Sequence, residues 1–417
     1  MNKIINFCFT YYIPIIMAFA VIRMFGYDSN NYLDYPLMLI VGYKGVSLIL
    51  KGSNNQVFKL FTAFFVYCAF SGFFYLLNGV PFRCYFISAQ LLLLPMIFFY
   101  YGCKFNPSND EFEKMFIYGC TFCFLVGFYL YIARPSFYVA AVERATANLS
   151  DSDLAGRDLV DYVRFGSFFG NSYPVEFFSV PTLILSLYYL NKKYIKKIVL
   201  YIAAISAFVA AFICIQRASV AGAMGVLIFY FFYKGKGGKM KITLILSAFV
   251  IFAFVIFADI ISSTDSYENL NLQFNDMLSR FDFSQAMDER KYQYKEFNRS
   301  SFVSDIVGLG LGTCGHQARY FGLQTINDNQ YMLLFREFGL IGCLLLLIVI
   351  VRSIVRGLKN FKIYYPQLLI LGFFLFAFLG SEPLEVAYVS CVFWFSLGRI
   401  WNSDYYIRRK QELSNGK

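Results

Sequence analysis

A chain of 417 residues that is 58% hydrophobic and only 15% charged, with mean hydropathy +0.54, lacks the polar surface to coat a water-soluble body of its size. That excludes a soluble globular enzyme and makes lipid the main solvent. A net charge of +11 does not point to nucleic acid here, because Lys and Arg collect on the cytoplasmic side of membrane proteins; a phosphate-bearing substrate is a second source of the excess.

A spanning helix needs about 20 apolar residues. Apolar runs predict twelve spans, beginning near Ile4, Tyr35, Val57, Cys84, Met115, Tyr173, Ile198, Ala218, Ile242, Gln330, Ile363 and Leu384. The apolar N-terminal stretch, with Lys3 ahead of it and no small-residue cleavage site behind it, reads as the first span rather than a removed signal. The expected organisation is five spans over 1–134, a long loop over 135–174, four spans over 175–258, a larger loop over 259–329, and three spans with a tail over 330–417. Most of the ten cysteines lie inside the apolar runs, where they act as small hydrophobes.

Charge sets the orientation. The connections Asn191–Lys197, Lys234–Lys241 and Arg352–Lys362 are basic, as is the tail with Arg408, Arg409 and Lys410. With twelve spans all of them fall on one side, which the positive-inside rule makes cytoplasmic, together with both termini. The two long loops then fall outside. In the second, Leu278 to Phe297 reads as an amphipathic helix near the membrane surface.

Several groups in this frame suit chemistry on an anion. Arg217 opens a span after almost no turn, where a cation is costly unless it has a partner; snorkelling to the interface is the competing reading. Arg164 precedes Gly166, Gly170 and Asn171, in a segment whose glycines permit close approach and whose guanidinium suits phosphate oxygens; a plain turn is the alternative. Glu176, just inside the sixth span, needs a cation, and Arg164 and Arg217 are candidates. Arg280 and Lys291, spaced by eleven positions, share a helical face near Arg290; the face suits diphosphates, or it is a solvated face balanced by acidic neighbours. Gly308-Leu309-Gly310-Leu311-Gly312 lacks the strand and helix of a dinucleotide site, but its backbone N–H groups can face anionic oxygens. His316, the only histidine, is the one imidazole available as a base and excludes a His-based metal cage. Asp328 or Asn329 is an expected helix N-cap. Asp151-Ser152-Asp153 is an acidic triplet of the kind that polar loops contain by chance.

The order of these parts resembles the O-antigen polymerase and O-antigen ligase superfamily of bacterial membrane glycosyltransferases. The matching pieces are Arg164 with Gly166 and Asn171, Arg217-Ala218-Ser219, the glycine run from Gly308 to Gly312, and Asp328-Asn329-Gln330-Tyr331 continuing to Arg336-Glu337-Phe338-Gly339. The resemblance covers roughly 160 to 350. It implies an all-α, GT-C-like fold in a bacterial inner membrane and donors and acceptors carried on undecaprenyl diphosphate. It also implies a periplasmic reaction without nucleotide sugar, cofactor or metal, in company with a chain-length regulator and a flippase. The ligase branch has His where this chain has Asp328, which favours a Wzy-type polymerase. The expected catalytic groups are Arg217 and Arg164 on the departing diphosphate and His316 or Asp328 as base. Arg280, Arg290, Lys291, Asn171, Glu176, Asn329, Tyr331 and Glu337 are the expected substrate contacts.

Overall fold

The computed structural model describes residues 2–26, 33–52, 55–76, 81–104, 110–146, 165–169, 172–190, 192, 195–214, 216–234, 302–315, 318, 321–322, 325–326 and 329–415. Among them the regular structure is entirely helical. Eleven of the twelve expected spans coincide with helices, and the one expected from Ile242 lies outside the described residues. Among the described residues three segments are long and apolar enough to cross a bilayer: Phe82–Lys104, Glu111–Ala133 and Gln330–Lys359. Large apolar side chains face outward, with Leu39 74% and Phe232 79% exposed. A water-soluble surface does not carry such groups in number, and lipid accommodates them.

The chain divides into two compact units. The first comprises Met1–Tyr12, Tyr32–Phe112 and Tyr292–Lys417. It contains α1 (Asn2–Thr10), α3 (Asp34–Leu50), α4 (Gln56–Leu76), α5 (Phe82–Ser88), α6 (Leu94–Lys104), α12 (Phe302–Val307), α13 (Gln330–Lys359), α14 (Phe361–Ala377), α15 (Ala387–Arg399) and α16 (Ser403–Asn415). The centre is the crossing of α6 and α15, where two glycines let the backbones touch. A Cβ on Gly102 would stand 2.6 Å from the Phe395 carbonyl oxygen, and one on Gly398 would collide with that of Phe99. Small residues at a crossing are how membrane helices gain packing without a hydrophobic driving force. Around it lie Trp394, fully buried, and Phe61 stacked on Phe99 with centroids 3.8 Å apart.

The buried Asp110 closes one end of this unit. Its carboxylate accepts from Arg399 at 3.1 Å and from Arg408 and Arg409, the last two on α16. Burial by itself would raise this carboxyl, but Arg409, Arg399 and Arg408 outweigh it and hold it below the usual carboxylate range.

The second unit comprises Ile13–Asn31 and Glu113–Lys291. It holds most of α2 (Tyr12–Met24) and α7 (Glu111–Ala133), with α8 (Ser136–Thr146), α9 (Tyr173–Tyr189), α10 (Lys197–Ile213) and α11 (Arg217–Lys234). The stretch expected as the start of the first long loop is helical in α8. Arg134 has φ 42°, which stops α7, and Pro135 then opens the next helix, its carbonyl accepting from Tyr138 at 2.8 Å. The amphipathic helix expected over Leu278–Phe297 lies outside the described residues.

Candidate functional site

Two of the sequence motifs meet in the first unit. α13 breaks at Gly339, with φ 60° and ψ −169°. The break releases the carbonyls of Arg336 and Glu337, and the glycine run takes them up. Leu309 N–H donates to the Arg336 carbonyl at 2.7 Å and Gly310 N–H to that of Glu337 at 2.8 Å. The approach is close enough that a Cβ on Gly308 would stand 2.6 Å from the Glu337 carbonyl carbon, and Gly308, with φ 82°, also needs the left-handed region. Gly308–Gly315 and Arg336–Gly339, which the sequence separates, thus form one backbone-paired body.

Its centre is the Glu337 side chain, 3% exposed. Its Oε1 accepts from the N–H groups of Gly312 at 3.0 Å and of Cys314 and Gly315 at 3.2 Å each. The N–H groups that the sequence suggests could face anionic oxygens are directed here at the chain's own Glu337 side chain. The Cys84 thiol donates to the Gly312 carbonyl at 2.9 Å and ties the loop to α5. Burial and then the nearby Glu337 push the Cys314 thiol up to about 12, so it is an inert packing group rather than a nucleophile.

Asn329 caps α13 with Oδ1, which accepts from Met332 N–H at 3.1 Å. Its own N–H donates to Glu382 at 3.3 Å. Next to it, Gln330 is fully buried; its Oε1 accepts from Leu384 N–H at 2.9 Å. These bonds dock the 3₁₀ turn Pro383–Glu385 against the start of α13. Between turn and helix lies a cavity of ≈ 10 Å³, walled by leucines, Leu92 and Leu311 among them, and by Ser88, Gln330, Glu337 and Glu385. That is room for about one water-sized group. Leu92 belongs to a π-helical bulge, Ala89–Leu93, between α5 and α6, a distortion frequent at functional sites. Tyr331, 41% exposed, donates its hydroxyl to the Leu375 carbonyl at 2.7 Å and so links α13 to α14.

In the second unit the connection from α10 to α11 is as tight as the sequence indicates. Ser219 closes it, donating from Oγ to the Ala211 carbonyl at 2.9 Å and that of Gln216 at 2.8 Å. Gln216 reaches Ser172 Oγ at 3.1 Å, which brings the Arg217 motif beside the residue that precedes α9. Arg217 is half-buried as the first residue of α11, where the helix dipole disfavours a cation. Glu176 is buried in the first turn of α9. The described part of the segment after Arg164 packs on α7: Ser167, with φ 50°, donates to the Cys123 carbonyl at 2.7 Å, and Phe165 stacks on Phe128.

Arg164, Asn171, Arg280, Arg290, Lys291, His316 and Asp328 lie outside the described residues. Sequence reasoning passed over Glu385, Ser88 and Asp110, and it gave Gln330, though part of a matching motif, no role of its own. Glu385 sits in an apolar run read as the start of a span, and only its charge there was a signal. No family model matches the chain, and no curated protein or solved structure matches it either.

Proposed function

We propose that the chain is a polysaccharide polymerase of a bacterial inner membrane, with twelve spans, a GT-C-like fold and both termini cytoplasmic. It joins repeat units carried on undecaprenyl diphosphate. The observation that carries this reading is the docking of the glycine run on the break in α13. Two motifs of the resembling superfamily, separate in sequence, share one hydrogen-bonded body with a small cavity at its edge, lined by leucines and by Gln330, Glu337 and Glu385.

In the proposed reaction a hydroxyl of one lipid-linked unit attacks C1 of the reducing-end sugar on another. The C1–O bond to the diphosphate breaks, and charge develops on the leaving undecaprenyl diphosphate. Guanidinium groups suit that charge because they keep their proton and bind two oxygens at once. Arg217 and Arg164 take this role, supported by Arg280 and Arg290. The observation behind Arg217 is its position as the first residue of a helix beside a closed turn, where helix N-terminal N–H groups and a guanidinium together suit an anion.

Deletion of the gene followed by gel analysis of the surface glycan tests the reading. A single repeat on its acceptor is the expected result. Finished polymer left on undecaprenyl diphosphate would mean a ligase, and units held on the cytoplasmic face a flippase. Within the polymerase reading, Arg217→Ala abolishes chain growth while the protein still inserts, and Arg217→Lys rescues poorly because an ammonium does not form the two-oxygen fork. Normal polymer lengths in Arg217→Ala would remove it from the site.

A further inference from the structure

Two carboxylates meet at Gly315. The Gly315 N–H donates to Glu337 Oε1 at 3.2 Å, and the carboxylate of Glu385 occupies the space where a Cβ on Gly315 would stand. Both carboxylates line the cavity at the start of α13. Gln330 lines it too; it is 0% exposed, and its Nε2 has no hydrogen-bond partner among the described residues. A buried amide donor left unmet is costly, so the site is built for an occupant that accepts from Gln330. The acidic side chains of Glu337 and Glu385 disfavour an anion, and the Glu385 carboxylate suits an occupant that also donates. The volume of ≈ 10 Å³ admits one oxygen-sized group. The chemistry that meets all these conditions is a neutral O–H.

We infer that this cavity receives the attacking hydroxyl of the acceptor sugar, oriented by Gln330, and that Glu385 is the carboxylate that takes its proton. The inference rests on the polymerase reading above. The hydroxyl oxygen forms its bond to C1 as the C1–O bond to the diphosphate breaks. That electron pair leaves with undecaprenyl diphosphate, and the hydroxyl proton passes to Glu385. Glu385 suits this better than Glu337. It is half-buried on a turn and so can return the proton to water, whereas Glu337 is sealed and its Oε1 is already held by three N–H groups. Gly315 is then the residue that lets the two acids approach.

The test uses the full-length protein in lipid vesicles, with glycolipid extracted from cells lacking the gene as donor and acceptor. Glu385→Gln is expected to slow chain growth by about 10²–10⁴-fold, the usual size of general-base catalysis, with KM for the glycolipid little changed. The limb over which the rate rises with pH should vanish in the same variant, and Glu385→Asp should restore part of the rate. Gln330→Leu is expected to act instead on KM. Wild-type rate and pH profile in Glu385→Gln overturn this inference and leave the polymerase reading standing. A slowed Glu385→Gln that keeps the wild-type pH profile makes the cavity a structural water site and also overturns it. A wild-type protein that fails to extend the glycolipid defeats both readings.

Discussion

At the scale of single residues, what the loop over α13 requires is space and handedness. Gly308 supplies both, because its φ of 82° is costly for any residue with a Cβ and because that Cβ would run into the Glu337 backbone. Gly308→Ala is therefore expected to cost about 1–2 kcal/mol from handedness alone and to displace the loop from α13. The check is a lowered thermal midpoint together with shortened surface glycan. An unchanged midpoint would mean that the loop does not depend on this pairing. The motif letters were legible in the sequence here, but the role of Glu337 was not. It is an expected substrate contact; its Oε1 is held by the N–H groups of its own loop, and the residue also lines the cavity at the start of α13. Pairing over a separation of about 25 residues leaves no periodic trace, which is why sequence spacing missed it. Glu385 was missed for the same reason, since only the docking of its turn on α13 reveals that it faces another acid.

At the scale of elements, the C-terminal helix α16 is fastened by charge rather than by apolar area. Arg408 and Arg409 on α16 and Arg399 at the end of α15 converge on Asp110. Removing one partner of a buried ion pair costs about 3–5 kcal/mol, because the remaining charge stays buried and uncompensated. Asp110→Asn is expected to lose that much and to expose α16 to proteolysis, whereas continued protection of the helix would show that its apolar contacts suffice. The pH dependence has a definite sign. The Asp110 carboxyl is held below its ordinary value, so the clamp is at full strength above about pH 4, the usual aspartate range, and weakens only as pH falls through the depressed value. The tail arginines were read from sequence as a topology signal. The sequence contained no sign that Asp110, 298 and 299 positions earlier, collects two of them.

At the scale of the whole molecule, the basic connections predict a definite topology. Under it, cysteines introduced at 164, 217 and 316 react with an impermeant thiol reagent from outside the cell, and one at 410 reacts only after the membrane is opened. Opposite labelling of 217 and 316 would separate groups that the proposed reaction needs on one face. The sequence by itself determined the helical class, the apolar segments and the tight turn before Arg217. Hydrophobicity, helix length and short connections are local properties that a linear reading contains in full. The tertiary structure alone decided that Gly339 breaks α13, that the glycine run fills the break, that Glu385 and Gln330 share a cavity, and that α16 is held by Asp110. Each depends on which distant backbone or carboxylate comes within about 3 Å, the range of a hydrogen bond, and packing sets that distance.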